Sequence, residues 1–432
     1  MHTKLFLLFT TLFSLSLNAQ NVNIPDANFK NYLVTNPEIN TNGDGEIQVS
    51  EAAGFSGSIS CDSLEINDLT GIEAFTSITA LNCDTNNLTS LNISTNTALI
   101  VLSCQVNDLT SLDISNNISL ASLLCGANNL TSLNVSNNAS LTFLDCGGNN
   151  ISTLDLTGAT QLSTLNCVLN GLTTLNISNN LVLQELICAS NSLTNIDVSN
   201  NTLLRVLWCA NNLLSSIDVS NNSNLETFQA GQNMFTSLDV SNNTALCALE
   251  CHENQLTAID VSHNPDLCYL TCFNNQITSI DVSGNSTSLY SLNCENNNLN
   301  YLNVKNGNNT AISYFWSAGN PNLFCIEVDN PEYSLANWSN KDPWASFSES
   351  CTAGNEEIGV INDIMFYPNP ANDILNIPAM ENGTITLADM SGRNFTVKVN
   401  NHTADITNLA AGCYIMQIAI NGNTNNNIII VE

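Results

Sequence analysis

Basic residues are the scarcest class in this chain. Seven Lys and Arg stand against 38 Asp and Glu among 432 residues, for a net charge of −31. Between Ser60 and Val304 the one basic residue is Arg205. Phosphate backbones are bound by clustered Lys and Arg, so nucleic acid is a poor partner. Anionic membrane surfaces are disfavoured for the same reason. The four histidines stand beside no plausible nucleophile, which leaves no hydrolase triad. His252-Glu253 lacks the second His of a metalloprotease helix. Beyond the first twenty residues no apolar run is long enough to cross a bilayer.

What the chain has in abundance is repetition. A cysteine recurs at Cys104, Cys125, Cys146, Cys167, Cys188 and Cys209, each 21 residues after the last. Ala230 takes the next slot, followed by Cys251 and Cys272, and Cys61 and Cys294 mark the two ends. From Asn86 on, an asparagine recurs three residues after the ladder slot, as at Asn107, Asn128 and Asn149. A fixed period in this range means a solenoid in which each repeat packs on its neighbours. Leu120, Leu123, Cys125, Asn128 and Leu130 fit the pattern L-x-x-L-x-L-x-x-N/C-x-L. The chain thus resembles leucine-rich repeat proteins, and its short repeat resembles the bacterial internalins. Each rung should hold a short strand with Leu and Cys inward, an Asn turn, a second extended piece such as Leu112-Asp-Ile, and a Ser-Asn-Asn return turn. The expected fold is mainly β. About 12 rungs at roughly 4.8 Å would stack to about 60 Å.

Eleven of the sixteen cysteines form the inward column. In-register strands hold Cβ atoms about 4.8 Å apart, beyond the roughly 3.5–4.5 Å of a disulfide, so the column reads as buried thiols standing in for leucine. Cys325 and Cys351 lie outside it and are the disulfide candidate. Cys247/Cys251 and Cys268/Cys272 imitate a paired metal motif, but four extended residues span roughly 13 Å, too far for one zinc.

Residues 1–19 have the form of a signal peptide: Lys4, then an apolar run from Leu5 to Leu17, then Ala19. Residues 20–59 should form an N-terminal cap. Within them Asn40 to Glu51 resembles an EF-hand calcium loop. The resemblance implies Asn40, Asn42 and Asp44 as the first side-chain ligands, a carbonyl from Glu46, Gln48 at the ninth position and Glu51 as a bidentate carboxylate. The plainer alternative is an Asn/Gly-rich loop with coincidental acids.

Comparing the repeats in residues 60–304 separates fixed slots from variable ones. The variable slots around the strand face outward. They hold small residues early and Arg205, Trp208, Glu250, His252, Tyr269, Phe273 and Tyr290 later. Clustered outward aromatics suggest a ligand-binding patch for a sugar or a protein side chain, against the plainer reading of scattered surface aromatics. The second extended piece carries an outward column of Asn176, Asp197, Asp218, Asp239, Asp260 and Asp281. Either cations bridge these acids, or each accepts local backbone hydrogen bonds.

Residues 305–351 break the period, with Phe315-Trp316-Ser317 and Asn320 as a degenerate last rung, and read as an aromatic-rich C-terminal cap. Residues 352–362 form a polar linker. Residues 363–432 then read as a small β-sandwich. Its motifs are Tyr367-Pro368-Asn369-Pro370, Asp389 with Gly392-Arg393, and Gly412 with Tyr414. These resemble the type A C-terminal sorting domain of the type IX secretion system. The resemblance implies passage through that machinery to the exterior or outer-membrane surface of a gram-negative bacterium. The combined reading is a monomeric, non-enzymatic surface protein that binds an extracellular protein or glycan in adhesion, with calcium as a structural ion and no organic cofactor. A passive surface-layer or biofilm protein and a polysaccharide-capture accessory protein are the alternatives.

Overall fold

The computed structural model describes residues 20–285, 289–351, 366–389, 392–420 and 423–431. The expected signal peptide and the 352–362 linker lie outside them. The chain divides into two compact units, Met1–Asn320 and Pro321–Glu432.

The first unit is a solenoid. Three-residue strands recur from Ser58–Ser60 to Tyr314–Trp316 and join, among the described residues, into one 13-stranded parallel sheet. The register is strict: Leu102 pairs with Leu123, Leu123 with Leu144 and Leu144 with Leu165. Two-residue alternation turns the middle residue inward, so these leucines are fully buried. The ladder cysteines are buried free thiols. Burial pushes the thiols of Cys104, Cys146, Cys188 and Cys251 up to about 12, which keeps them in the unreactive protonated form. The second piece of each rung pairs as strand only in places, such as Ser132–Asn134 with Thr153–Asp155.

Backbone groups inside the coil are satisfied by asparagine. Asn107 donates from Nδ2 to the carbonyls of Cys83 (3.0 Å), Cys104 (3.2 Å) and Gln105 (3.1 Å), and its Oδ1 accepts from Leu88 N (3.0 Å). This pattern repeats up the stack. The residue before each such Asn is left-handed, with φ of 53° at Val106 and 54° at Leu169. A side chain there costs about 1–2 kcal/mol. The four hydrogen bonds of the Asn, at about 1 kcal/mol each, outweigh that.

A second buried asparagine column sits in the return turn. Asn117 Nδ2 donates to Ile93 O (3.1 Å) and Asn96 O (2.9 Å), and Asn222 Nδ2 to Val198 O (3.1 Å) and Asn201 O (2.8 Å). The Ser-Asn-Asn segment is therefore more than a turn signal, because its second Asn ties each rung to the one before.

The open edge of the first strand is covered by the N-terminal cap. Asp26 caps helix Ala27–Val34 by accepting from Asn28 N (2.9 Å) and Phe29 N (3.0 Å). The helix buries Phe29 and Leu33. Its Tyr32 hydroxyl accepts from Ser60 N (2.9 Å), and Asp26 accepts from Asn67 N (2.9 Å). Edge N–H groups that would otherwise invite strand addition are thus filled. At the far end the rungs run past residue 304. Asn320 donates to Cys294 O (3.0 Å) and accepts from Leu299 N (3.1 Å), and Ser317 fills the ladder slot.

In the second unit, Cys325–Glu327 pairs in parallel with Ser346–Ser348, and a disulfide joins Cys325 to Cys351. Helix Pro331–Asn337 begins with Asn330 as its N-cap and Pro331 in its first turn. Trp338 packs edge-on against Tyr333 and Phe347. Beyond the linker, the expected β-sandwich is a single six-stranded antiparallel sheet, a half-barrel. Its core includes Leu375, Ile385, Leu387, Met416, Ile418 and Ile429. Tyr367 bridges to Asn376 on one edge strand and Ala371 to Val431 on the other. One segment therefore draws both edges around the core, and no second sheet is needed.

Replacing Asn212 with Ala removes the acceptor of Leu193 N and a donor to the carbonyls of Cys188, Cys209 and Ala210. Orphaned buried groups cost about 1–3 kcal/mol each. Asn212→Ala is expected to lose at least about 3 kcal/mol in chemical denaturation. A loss within error of zero would refute the ladder's role.

Candidate functional site

The seven outward residues singled out by repeat comparison share one sheet face, but they fall into separate groups. Tyr269 meets Tyr290 edge-on at 5.6 Å between ring centroids, and Tyr290 meets Tyr314 at 5.3 Å. Tyr314 stacks on Trp316 at 5.4 Å. The three tyrosines are 44%, 38% and 46% exposed. A hydrogen bond with Tyr290 pushes the Tyr314 phenol above its ordinary value. The row runs over three consecutive strands, with Tyr290 just before the middle one, whose Ser291 is registered with both Tyr269 and Tyr314.

A second group pairs His252 with Phe273, stacked at 4.6 Å. The imidazole lies over Gly231, where an added Cβ would come within 2.5 Å of the ring, so glycine leaves the room it needs. Trp208 stands three strands before Tyr269, beyond the reach of the tyrosine row. Arg205 forms a bidentate pair with Glu226, Nε–Oε1 2.9 Å and Nη2–Oε2 2.8 Å. Glu250 accepts from Gln229 (3.0 Å).

Beside these groups a second disulfide joins Cys247 to Cys268, which stand just before adjacent strands with Cα atoms 4.8 Å apart. The expectation that neighbouring rungs are too far apart to bridge fails at this pair. Cys247 and Cys268 lie outside the packed interior, where their side chains can lean toward each other. Cys251 and Cys272 meanwhile take ladder positions, which dissolves the apparent metal motif.

On the return face the aspartate column needs no cation. Asp197, Asp218, Asp239 and Asp260 each accept from the N–H of the serine two residues on, at 2.9 Å. These serine hydrogen bonds hold all four carboxyls below the usual range.

The N-terminal loop brings its expected ligands together around a hydrogen-bonded centre. Asp44 Oδ2 accepts from Asn42 Nδ2 and Gln48 Nε2, both at 3.0 Å, and Asn42 Nδ2 also donates to Gln48 Oε1 (2.7 Å). Asn40 is buried, with Oδ1 accepting from Gly43 N (3.0 Å) and Nδ2 donating to Val34 O (2.9 Å). Glu46 is ion-paired with Lys30 at 2.7 Å, which leaves its carbonyl as the ligand the resemblance implies. Glu51 sits three residues into helix Val49–Gly54, with Gln48 as N-cap, and the two form a reciprocal capping box. Its Oε1 accepts from Thr41 N (2.8 Å), Thr41 Oγ1 (2.9 Å) and Asn42 N (3.2 Å), and its Oε2 from Gln48 N (3.0 Å). An all-oxygen set, the kind a hard cation takes, needs the Asn42 and Gln48 amides to turn over, and for Asn42 that gives up the bond its Oδ1 accepts from Asp44 N (2.8 Å). The charge of the set is thin: among the described residues no three His, Cys, Asp or Glu side chains gather about one point.

In the C-terminal unit the motif residues hold the half-barrel together. Asn369 accepts from Ile430 N (2.8 Å) and donates to Ile428 O (3.0 Å). Arg393 pairs with Asp389 through Nε–Oδ2 at 2.8 Å, across a turn with Gly392 at φ 84°. Gly412 opens the strand Gly412–Ile420, in which the Tyr414 hydroxyl donates to Ala410 O (2.8 Å). Tyr367-Pro368 and Asn369-Pro370 are cis.

Residues 365–432 match the family described as "Secretion system C-terminal sorting domain". Among solved structures, the chain is similar to the functional domain of InlJ from Listeria monocytogenes, which includes a cysteine ladder. Identity is 25% with a TM-score of 0.61, over 96% of this chain and 100% of that one. An internalin (inlF) from the same organism is 22% identical with a TM-score of 0.63, over 76% of this chain and 99% of that one. A leucine-rich repeat protein of Leptospira interrogans is 22% identical with a TM-score of 0.56, over 66% and 81%. No curated protein matches. This chain is an internalin-like leucine-rich repeat solenoid carrying a type IX sorting domain.

The sorting domain makes it a secreted or cell-surface protein handled by the type IX secretion machinery. Among the described residues no helix is long and apolar enough to cross a membrane. Within the leucine-rich repeats, sequence reasoning missed Tyr314, Trp316 and Glu226. Tyr314 and Trp316 occupy ladder-strand positions opposite Ser291 and Asn293, so continuing the register through the irregular last rung would have found them.

Burial raises the Glu51 carboxyl, but hydrogen bonds from Gln48, Thr41 and Asn42 outweigh it and hold the group below its ordinary value of 4.5. Its stabilising contribution is therefore complete above pH 4.5 and is lost as pH falls through the lower folded value. Wild-type melting temperature should fall in that window more steeply than that of Glu51→Gln, which carries no titrating group there. Parallel acid limbs in the two proteins would contradict this.

Proposed function

We propose that this is a surface recognition or adhesion protein whose outward sheet face holds a ligand at Tyr269, Tyr290, Tyr314 and Trp316. One observation carries the reading: four rings in mutual contact stand on that face, with each tyrosine more than a third exposed. Contiguous exposed aromatic surface is a costly arrangement that binding sites share. Two-ring contacts offer flat apolar surface, and the hydroxyls and indole N–H offer polar handles. In this reading the protein acts by binding an extracellular protein or glycan rather than by catalysis. The half-buried pair His252–Phe273 and Trp208 extend the face without joining the row.

We further propose that the N-terminal loop takes Ca²⁺ through Asn40, Asn42, Asp44, Gln48, the Glu46 carbonyl and Glu51. The ion would stiffen the cap over the first rung and leave the binding face untouched. The convergence of Asn42, Asp44 and Gln48 supports it.

Beads coated with the purified protein are expected to adhere to at least one surface in a panel of immobilised extracellular proteins and polysaccharides. Tyr290→Ala/Trp316→Ala should abolish that adhesion at unchanged melting temperature. Equal adhesion by the double variant overturns the placement of the site, and adhesion to no surface favours the passive coat. Separately, millimolar calcium should raise the melting temperature, a chelator should reverse the rise, and Glu51→Ala should not respond. A wild-type melt indifferent to calcium removes the ion.

A further inference from the structure

The chemistry of the tyrosine row and its surroundings narrows the ligand class. We propose that Tyr269, Tyr290, Tyr314 and Trp316 receive an arginine-rich segment of a partner protein, a cationic strand or loop laid along the row. This rests on the reading of the sheet face as the binding face and names what it binds.

Three observations carry it. First, the row offers π faces in mixed orientation: Tyr290 stands edge-on to both Tyr269 and Tyr314, and Tyr314 is stacked with Trp316. Successive centroids lie 5.3–5.6 Å apart, and a guanidinium is attracted within about 6 Å of a ring centroid. A segment carrying several guanidiniums can therefore set successive cations on different rings of the row.

Second, the field around the row is one-sided. Beyond the neutralised Arg205–Glu226 pair, from Asp239 to Trp316 the chain carries seven Asp and Glu against the single Lys305. Four of those acids are Asp239, Asp260, Asp281 and Asp266, on the return side or in its turns. Glu250 and Glu295, by contrast, belong to rungs of the same sheet face, Glu250 one rung before Tyr269 and Glu295 two residues beyond Asn293, which is registered with Trp316. A partner bearing positive charge is drawn by this field, a neutral sugar gains nothing from it, and a polyanion is repelled.

Third, the face already holds a guanidinium. Arg205 lies along it in a two-bond fork to Glu226 of the next rung, with both side chains about half exposed, 54% and 44%. Fork-to-carboxylate pairing across one rung is thus a geometry this sheet supports. A partner arginine stacked on a tyrosine could use Glu250 or Glu295 in the same way. Arginine suits the site better than lysine because its plane stacks on a ring while its edge bonds a carboxylate.

The test is anisotropy titration of a labelled arginine/serine peptide against the full chain, with a glycine/serine peptide and a neutral cello-oligosaccharide as competing probes. The arginine peptide alone should bind, more weakly as salt rises. Tyr290→Ala/Tyr314→Ala should weaken it at least about tenfold. Glu250→Gln/Glu295→Gln keeps every ring, guards against misfolding of the aromatic variant, and should also weaken the peptide. Peptide binding unchanged in both variants, or no binding to the wild type, overturns the proposal. Salt-insensitive oligosaccharide binding that the aromatic variant loses and the glutamine variant keeps also overturns it, while leaving the sheet face as the binding face.

Discussion

Everything in the solenoid depends on how a 21-residue coil satisfies its own backbone. So short a coil must turn sharply inside the stack, and each turn strands N–H and C=O groups away from water. The ladder Asn answers on the strand side and the return-turn Asn on the other, each reaching the rung before it. Asn107 bonds the Cys83 carbonyl and Asn117 the Ile93 and Asn96 carbonyls. Because the partners lie one rung away, the bonds exist only in the stacked state. Stability therefore resides in the interface between neighbours, as expected for a quasi-one-dimensional protein. The N-terminal cap follows from the same constraint, since the first rung has no predecessor and Tyr32 and Asp26 supply its missing partners.

The same stacking explains how the cysteines sort. A thiol in the inward column is packed on all sides and held protonated by burial. The pair at the mouth of the strands is not so confined, and Cys247 and Cys268 are bonded. One average spacing thus gives two outcomes, decided by side-chain freedom rather than by the backbone. For an exported protein this separation matters, because the oxidising exterior meets the mouth of the strands and not the column inside.

Most of the scaffold was legible because repetition is itself a measurement. Eleven cysteines and a column of asparagines at one period leave few alternatives, and the inward leucines follow from alternation. The return-turn Asn column was harder to read, since Ser-Asn-Asn is also an ordinary turn sequence and nothing local distinguishes a buried carboxamide from an exposed one. The aromatic row was half legible. Tyr269 falls in a regular rung and Tyr290 in one with a single extra residue, whereas Tyr314 and Trp316 follow a further insertion that shifts the count. Arg205 looked like a ligand contact because its partner, Glu226, lies exactly one rung away in space but in a slot where other rungs carry uncharged residues. The C-terminal sandwich was misjudged because strand patterns alone cannot say whether a sheet is covered by a second sheet or curls over its own core.

The two faces of the solenoid put the same kinds of residue to different use. On the return face each aspartate is answered by a serine two residues on, within its own rung, so the column is electrically local and uniform from Asp197 to Asp260. On the sheet face such a local partner occurs only in some rungs, as where Asp145 accepts from Gly147 N (3.0 Å). Elsewhere charges are met by side chains of neighbouring rungs, as with Arg205–Glu226 and Gln229–Glu250, and aromatics meet one another across rungs. A uniform face has no preferred place for a ligand. A face whose contacts change from rung to rung has one, and here it lies where the rings run together, toward the end of the repeats.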